Sequence, residues 1–223
     1  MKSFLVIGIG RFGKHLSRKL VELGNEVMIV DKNEENIREL LPIVTNAQIG
    51  DCTKEEVLRS LGIDNYDVCF VCVENDFQSS LEITNLLKDL GAKYVISKSS
   101  RDIHTKFLLR NGSDEVIDPE RNIAEKLAVR CSANHVFDYI GLTDDVSIYE
   151  IPPAESWIGR SIKEINFRTK YRVSILATKA GGSISFLPEA DHIFKPEEHL
   201  LVIGRRNDVE KILKLIKSTF AHD

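Results

Sequence analysis

Short apolar runs recur along the first half of the chain, and each is followed by a stretch whose apolar residues keep helical spacing. Residues 4–7, 27–30, 47–50, 67–73, 94–97 and 115–117 have the pattern of strands, the apolar ones that of strands covered on both faces. Between them, Leu16, Leu20 and Leu23 mark one helix, and further helices are predicted over 34–41, 53–61, 76–90, 102–110 and from 118 to about 134. The breakers agree: Gly24-Asn25, Pro42, Gly62, Gly91 and Asn111-Gly112 each follow a helical stretch. Asn33 is placed to cap the helix over 34–41, and Thr53 with Glu56 has the spacing of a capping box. Six strands alternating with helices predict an α/β fold, a Rossmann-like doubly wound parallel sheet over residues 1–136.

From about residue 137 the rhythm changes. Short runs at 149–153, 173–179, 183–187 and 200–203, a Gly181-Gly182 turn and helices at 161–165 and 208–216 predict a small α+β C-terminal lobe over 137–223. Trp157 and Phe167 read as its core, because aromatic side chains carry much of the burial in a small unit.

Candidate chemistry sits where the first helix begins. The first strand runs into Gly8-Ile9-Gly10-Arg11-Phe12-Gly13, a helix follows, and the second strand ends on Asp31, which is the order of a dinucleotide-binding βαβ unit. Gly8 permits the tight turn, Gly10 lets backbone approach a phosphate, and Gly13 lets the helix pack against the sheet. The helix N-terminus offers free N–H groups to an anion. Asp31 is placed to accept from ribose hydroxyls. In such a sheet, ligands lie beyond the carboxyl ends of the strands. The candidate lining is therefore Gly8 to Gly13, Phe12 included, then Asp31, Lys32 and Asn33, then Gly50 to Thr53 with Asp51 and Cys52, then Val73 to Gln78 with Glu74, Asn75 and Asp76, and Lys98. Arg11 either pairs with phosphate oxygens or is a solvated surface residue. Asp51 either accepts from an adenine amine or caps a helix. Lys98 either balances ligand charge or is an ordinary surface lysine. Glu120 either complements a helix dipole or offers a carboxylate to a divalent cation.

Composition narrows the function classes. The 223 residues suit one or two domains, and 43% hydrophobic with 29% charged residues is ordinary for a globular protein. A net charge of −4 disfavours a nucleic-acid partner. No apolar run approaches the ~18 residues of a membrane span, and the N-terminus does not read as a signal peptide, so a cytoplasmic location is expected. Cys69 and Cys72 lie in one strand-like run, where residues three apart face opposite ways, so they read as core and not as a metal or redox pair. The second lobe shows no pairing of nucleophile and base and no metal spacing. A nicotinamide dehydrogenase needs a substrate domain that this lobe is too small to provide, so a binding role without catalysis is expected.

Taken together, the segments IGIGRFG, IVDKN, GDCT, DVCFVCVEND and VIDPE resemble the RCK (regulator of K⁺ conductance) family, and in it the TrkA/KtrA-type cytoplasmic subunits of bacterial K⁺ transporters. Residues from about 146 to 220, with SWIGRSIKEINFRTKYRVSILATKAGG and PEADHIFKPEEHLLVIGRR, are similar to that family's C-terminal lobe. The resemblance implies homodimers that assemble into an octameric ring, docked on a membrane K⁺-translocating subunit of the KtrB/TrkH type. It implies ATP or ADP as ligand, with NAD(H) the alternative, and a ring whose shape follows the ligand. On it, Arg11 reaches the γ-phosphate, Asp31 takes the ribose, Asp51 and Cys52 lie on the adenine side, Lys98 is the fifth-strand lysine, and Glu120 holds Mg²⁺ or Ca²⁺. The run Val73-Glu74-Asn75-Asp76 is more acidic than a triphosphate site predicts, which keeps NAD(H) open. The resemblance also implies cyclic di-AMP between paired C-lobes, with Arg168 at the expected arginine; Asn166 and Ser174 stand where Asp and Asn are expected.

Overall fold

The computed structural model describes residues 1–73, 76–132, 136–143 and 145–219. The chain divides into two compact units, Met1–Arg121 and Asn122–Asp223. The sequence-based boundary at 136/137 lies further on, so the division falls in the first turn of the sixth helix.

In order, the first unit forms β1 (Ser3–Ile7), α1 (Arg11–Glu22), β2 (Glu26–Asp31), α2 (Glu34–Arg38), β3 (Asn46–Ile49), α3 (Glu55–Ser60), β4 (Val68–Val71), α4 (Phe77–Asp89), β5 (Val95–Lys98), α5 (Asp102–Arg110) and β6 (Glu115–Ile117), and enters α6 (Pro119–Ser132). All six strands are parallel in the order β3-β2-β1-β4-β5-β6. The order therefore reverses between β1 and β4, which opens a crevice at their carboxyl ends.

Both faces of this sheet are covered, as the continuous apolar runs require. Leu5, Ile7, Cys69 and Val71 pack on one side with Leu58, Ile83 and Leu87. Phe4, Val6, Phe70 and Cys72 pack on the other with Ile9 and Leu40. Cys69 and Cys72 thus belong to opposite core layers, as their spacing predicts, and burial pushes the Cys69 thiol up to about 12. Asn33 caps α2 as expected, accepting from Glu35 N at 3.0 Å, but the helix closes at Arg38, short of residue 41. The capping box at Thr53 and Glu56 does not form. Lys54 is the N-cap of α3, and the Thr53 hydroxyl donates to Asp51 Oδ1 at 2.7 Å instead.

The second unit contains β7 (Asp138–Gly141), β8 (Val146–Ile151), α7 (Ile162–Ile165), α8 (Phe167–Tyr171), β9 (Ser174–Ala180), β10 (Ser183–Phe186), β11 (His199–Arg205) and α9 (Arg206–Thr219). Its sheet is antiparallel throughout, in the order β10-β9-β11-β8-β7. The strand predicted over 149–153 starts earlier and stops at Ile151, because Pro152-Pro153 cannot donate to a ladder. Trp157, Phe167 and Phe194 are almost fully buried, and Trp157 Nε1 donates to the Tyr171 hydroxyl at 3.1 Å. Val209, Ile212 and Ile216 bring the apolar stripe of α9 onto this core. Among the described residues, no helix is long and apolar enough to cross a membrane.

Candidate functional site

The loop between β1 and α1 is built by its glycines. Gly8 has φ +89°, and a Cβ there would stand 2.9 Å from the Cys72 carbonyl carbon and the Val73 nitrogen. A Cβ on Gly13 would lie 2.2 Å from the Gly8 carbonyl oxygen. Gly10 is the N-cap of α1; it supplies no side-chain cap, and no acidic residue occupies the first turn. The first N–H groups of α1 are therefore left for an anion. Asp31, at the end of β2, braces this loop. Its Oδ2 accepts from Ile9 N at 2.7 Å and its Oδ1 from Asn33 N at 2.8 Å.

A cavity of about 290 Å³ opens at the switch point, and the carboxylates of Asp31, Asp51 and Asp76 are among its lining. Gly8, Gly10, Asp31, Lys32 and Asn33 line one wall, and Asp51, Cys52, Val73 and Asp76 line the others. The Thr53 hydroxyl and N–H both donate to Asp51 and hold its carboxyl below the usual range. Burial pushes the adjacent Cys52 thiol up to about 12, so it remains a neutral wall and not a nucleophile. Asp76 caps α4 through Ser79, accepting from its hydroxyl at 2.6 Å and its N–H at 3.0 Å, and these bonds hold it ionised.

Next to it lies a second cavity of about 580 Å³, which shares Val73 and Asp76 with the first. Its lining brings together Arg11, Lys98, Arg101 and Glu120. Lys98 is 7% exposed, donates to Glu120 Oε1 at 2.9 Å, and lies 5.7 Å from the Phe12 ring centroid. The Lys98 hydrogen bond keeps the Glu120 carboxyl below its ordinary value, and the Arg11 charge adds to this. An ionised Glu120 can share a cation with phosphate oxygens, in competition with Lys98. Among the described residues, no group of three or more His, Cys, Asp and Glu gathers around a point as an all-protein metal site would.

Most of the sequence-predicted residues therefore converge on these two cavities, and some do not. Gly13 stands behind the loop. Phe12 packs on the core beneath Lys98. Gln78 donates to Glu82 Oε1 at 2.7 Å and lines neither cavity. Glu74 and Asn75 lie outside the described residues. Sequence reasoning missed Asn36, Ser79 and Ile83 in the first cavity and Ser99, Ser100, Arg101 and His104 in the second, while Phe77, within the predicted run from Val73 to Gln78, does line the second. Ser79 carried a usable signal, since it follows the helix-capping Asp76 at capping distance; the others become neighbours only through the crossovers.

In the second unit, a cavity of about 390 Å³ collects Arg168 and Ser174 with Ile162, Ile175, Pro188 and Ala190. Asn166 adopts the left-handed conformation with φ 54°, which turns the chain between α7 and α8 and sets Arg168 on the wall. The Pro188 to Ala190 wall is fastened by Lys163 N donating to Ala190 O at 2.8 Å.

Residues 4–119 match the TrkA-N domain and residues 146–217 match the TrkA-C domain. The chain is 35% identical to the Ktr system potassium uptake protein C of Bacillus subtilis (strain 168), over 98% of this chain and 99% of that protein. It is also 35% identical to the Ktr system potassium uptake protein A of the same organism, over 94% and 95%. Among solved structures, the GsuK RCK domain superposes with a TM-score of 0.67 at 18% identity, covering 96% of this chain and 47% of that one. The GsuK channel bound to NAD gives 0.68 at 18% identity, over 99% and 40%. This chain thus spans less than half of those solved chains, and at such identity the likeness establishes the fold.

Proposed function

The chain belongs to the RCK family, with a TrkA-N domain followed by a TrkA-C domain, and on that premise we propose that it is a nucleotide-gated regulatory subunit of a membrane K⁺ transport system. The observation that carries this reading is the pair of joined cavities at the β1–β4 switch point. One end, with Asp31 and Asp51, suits a ribose and an adenine; the other, with Arg11 and Lys98, suits phosphates. Both Bacillus subtilis relatives are named for potassium uptake and are matched over nearly their whole length, which supports the same role here. In this reading the protein is cytoplasmic and reaches the inner face of the membrane through a KtrB/TrkH-type partner. Copies pair, and the pairs close into an octameric ring.

ATP and ADP are the ligands we assign, distinguished by Arg11 at the terminal phosphate. Mg²⁺ or Ca²⁺ would be shared between Glu120 and phosphate oxygens. The protein acts by binding and not by turnover. Gating then requires the ring shapes to differ in nucleotide affinity by about 1–3 kcal/mol, the usual size of such couplings. The cavity around Arg168 and Ser174 offers a place for a second ligand, cyclic di-AMP, with Arg168 facing a phosphate.

Calorimetry on the purified chain and on Arg11→Ala tests the assignment. A charge-assisted hydrogen bond contributes about 1.5–3 kcal/mol, so the substitution should weaken ATP about ten- to a hundredfold. ADP should change by less than about threefold on the same argument, because it lacks the phosphate that Arg11 reads. Equal losses for both nucleotides would remove Arg11 from that role. NADH displacing ATP would favour an NAD(H)-sensing subunit, and hydride transfer to a carbonyl compound would point to a small oxidoreductase.

A further inference from the structure

The cavity beside Arg11 is also lined by a histidine to which the reading above gives no task. His104, in the first turn of α5, is 7% exposed, and its Nε2 is buried without a hydrogen-bond partner. Buried polar atoms are nearly always paired, so an orphaned ring nitrogen in a residue that lines a cavity calls for an explanation. The imidazole is held in place by packing: its ring centroid is 4.6 Å from that of Phe77, and the Arg101 guanidinium lies 5.9 Å from the Phe77 ring on its own account.

The charges around His104 come from five elements. Arg11 from α1, Lys98 from β5 and Arg101 from the segment before α5 are positive, while Asp76 from the segment before α4 and Glu120 from α6 are negative. Lys98 and Glu120 are engaged with each other at 2.9 Å, and Asp102 on the same helix as His104 is engaged with Arg121 at 2.6 Å. Burial first, and the Arg101 charge second, hold the imidazole below the ordinary histidine value, so the ring is neutral in this surrounding. A polyphosphate entering the cavity brings several negative charges against that small positive surplus. The field at the ring changes sign, and the imidazolium becomes the favoured form.

We propose that His104 is the proton-accepting group of the nucleotide site, neutral without ligand and protonated when a polyphosphate lies among Arg11, Lys98 and Arg101. The proposal rests on the nucleotide-sensing reading. Its consequence is that nucleotide affinity rises as the pH falls, so the subunit reports proton as well as nucleotide levels.

The test is calorimetry of the full chain with ADP and ATP in two buffers of different ionisation enthalpy, which yields protons taken up per nucleotide bound. The nucleotide's own terminal phosphate titrates nearby, so the quantity read is the difference between the wild-type protein and His104→Gln. The wild type should take up a fraction of a proton more than the variant. Binding by the wild type should tighten between pH 7.5 and 6.5 by a larger factor than binding by His104→Gln. An NMR titration of the ring-labelled wild-type protein with and without ADP reads the same event without a substitution, and the His104 resonance should titrate at higher pH when ADP is bound. Nucleotide binding with equal proton counts in both proteins and an unmoved His104 resonance overturns the proposal while leaving the nucleotide site intact. An absence of any nucleotide binding overturns both.

Discussion

A methyl group added at Gly13 would sit 2.2 Å from the Gly8 carbonyl oxygen, a separation that no rotamer relieves because the backbone fixes the position of the Cβ and the oxygen is itself backbone. Gly13→Ala should therefore push α1 off the sheet, lower stability by about 1–3 kcal/mol as overpacking does, and abolish nucleotide binding. Urea denaturation and calorimetry check this, and an unchanged unfolding midpoint would contradict it. At this scale the structural roles of Gly8 and Gly13 were legible from spacing alone, since the close approaches there leave no other residue type. Asp31 was legible only in part. Its position after β2 predicts a ribose contact, but the braces to Ile9 and Asn33 depend on where the loop folds back, which periodicity does not contain. The fates of Lys98 and Glu120 were likewise not written in either local context, because they meet across 22 residues of chain.

At the scale of elements, the βαβ rhythm was readable because β1, β2 and β4 are built on apolar runs and α1, α3, α4 and α5 each end shortly before a glycine. The second unit was harder. β7 reads Asp-Tyr-Ile-Gly, too short and too polar to stand out, and it exists because β8 pairs with it from Asp138 to Gly141. α8 is a single turn framed by Asn166 and Arg172, both with positive φ, where a glycine would have announced the turn. What holds these short pieces is the aromatic cluster. Trp157 lies 4.9 Å from Phe167, edge to face, and 5.2 Å from Tyr171. Trp157→Ala should cost the second unit about 3–5 kcal/mol, the range for deleting a large core aromatic, while the nucleotide binding proposed for the first unit should persist. Fluorescence of the remaining tyrosines in urea, beside calorimetry with ATP, separates the two effects. Loss of nucleotide binding in a still-folded variant would count against independent units.

For the whole molecule, acidity is the simplest probe of what holds it together. Hydrogen bonds hold Asp51, Asp67 and Asp76 below their ordinary value of 3.8, those from the Thr53 and Ser79 side chains leading for the first and last and that from the Ser3 backbone for Asp67. Glu150 lies below 4.5: burial alone would raise it, but the bonds from His199 and Lys179 together outweigh that. A carboxyl lowered in the fold takes up its proton first in the unfolded chain, so its contribution is complete at neutral pH and is lost as pH falls through the lowered value. His104, lowered from 6.5 mainly by burial, acts in the same direction over a higher window. The unfolding midpoint in urea should therefore decline gently from pH 6.5 downward and steeply below about 4.5, and a midpoint that rises on acidification would refute this account. The sheet order has a further consequence, for the time course of folding. β1 occupies the middle of its sheet, and its start is tied to Asp67 across 64 residues by Ser3 N at 2.8 Å. During synthesis β1 must thus wait, one flank bare, until β4 has left the ribosome, and a chaperone or an aggregation partner would find its opportunity in that interval.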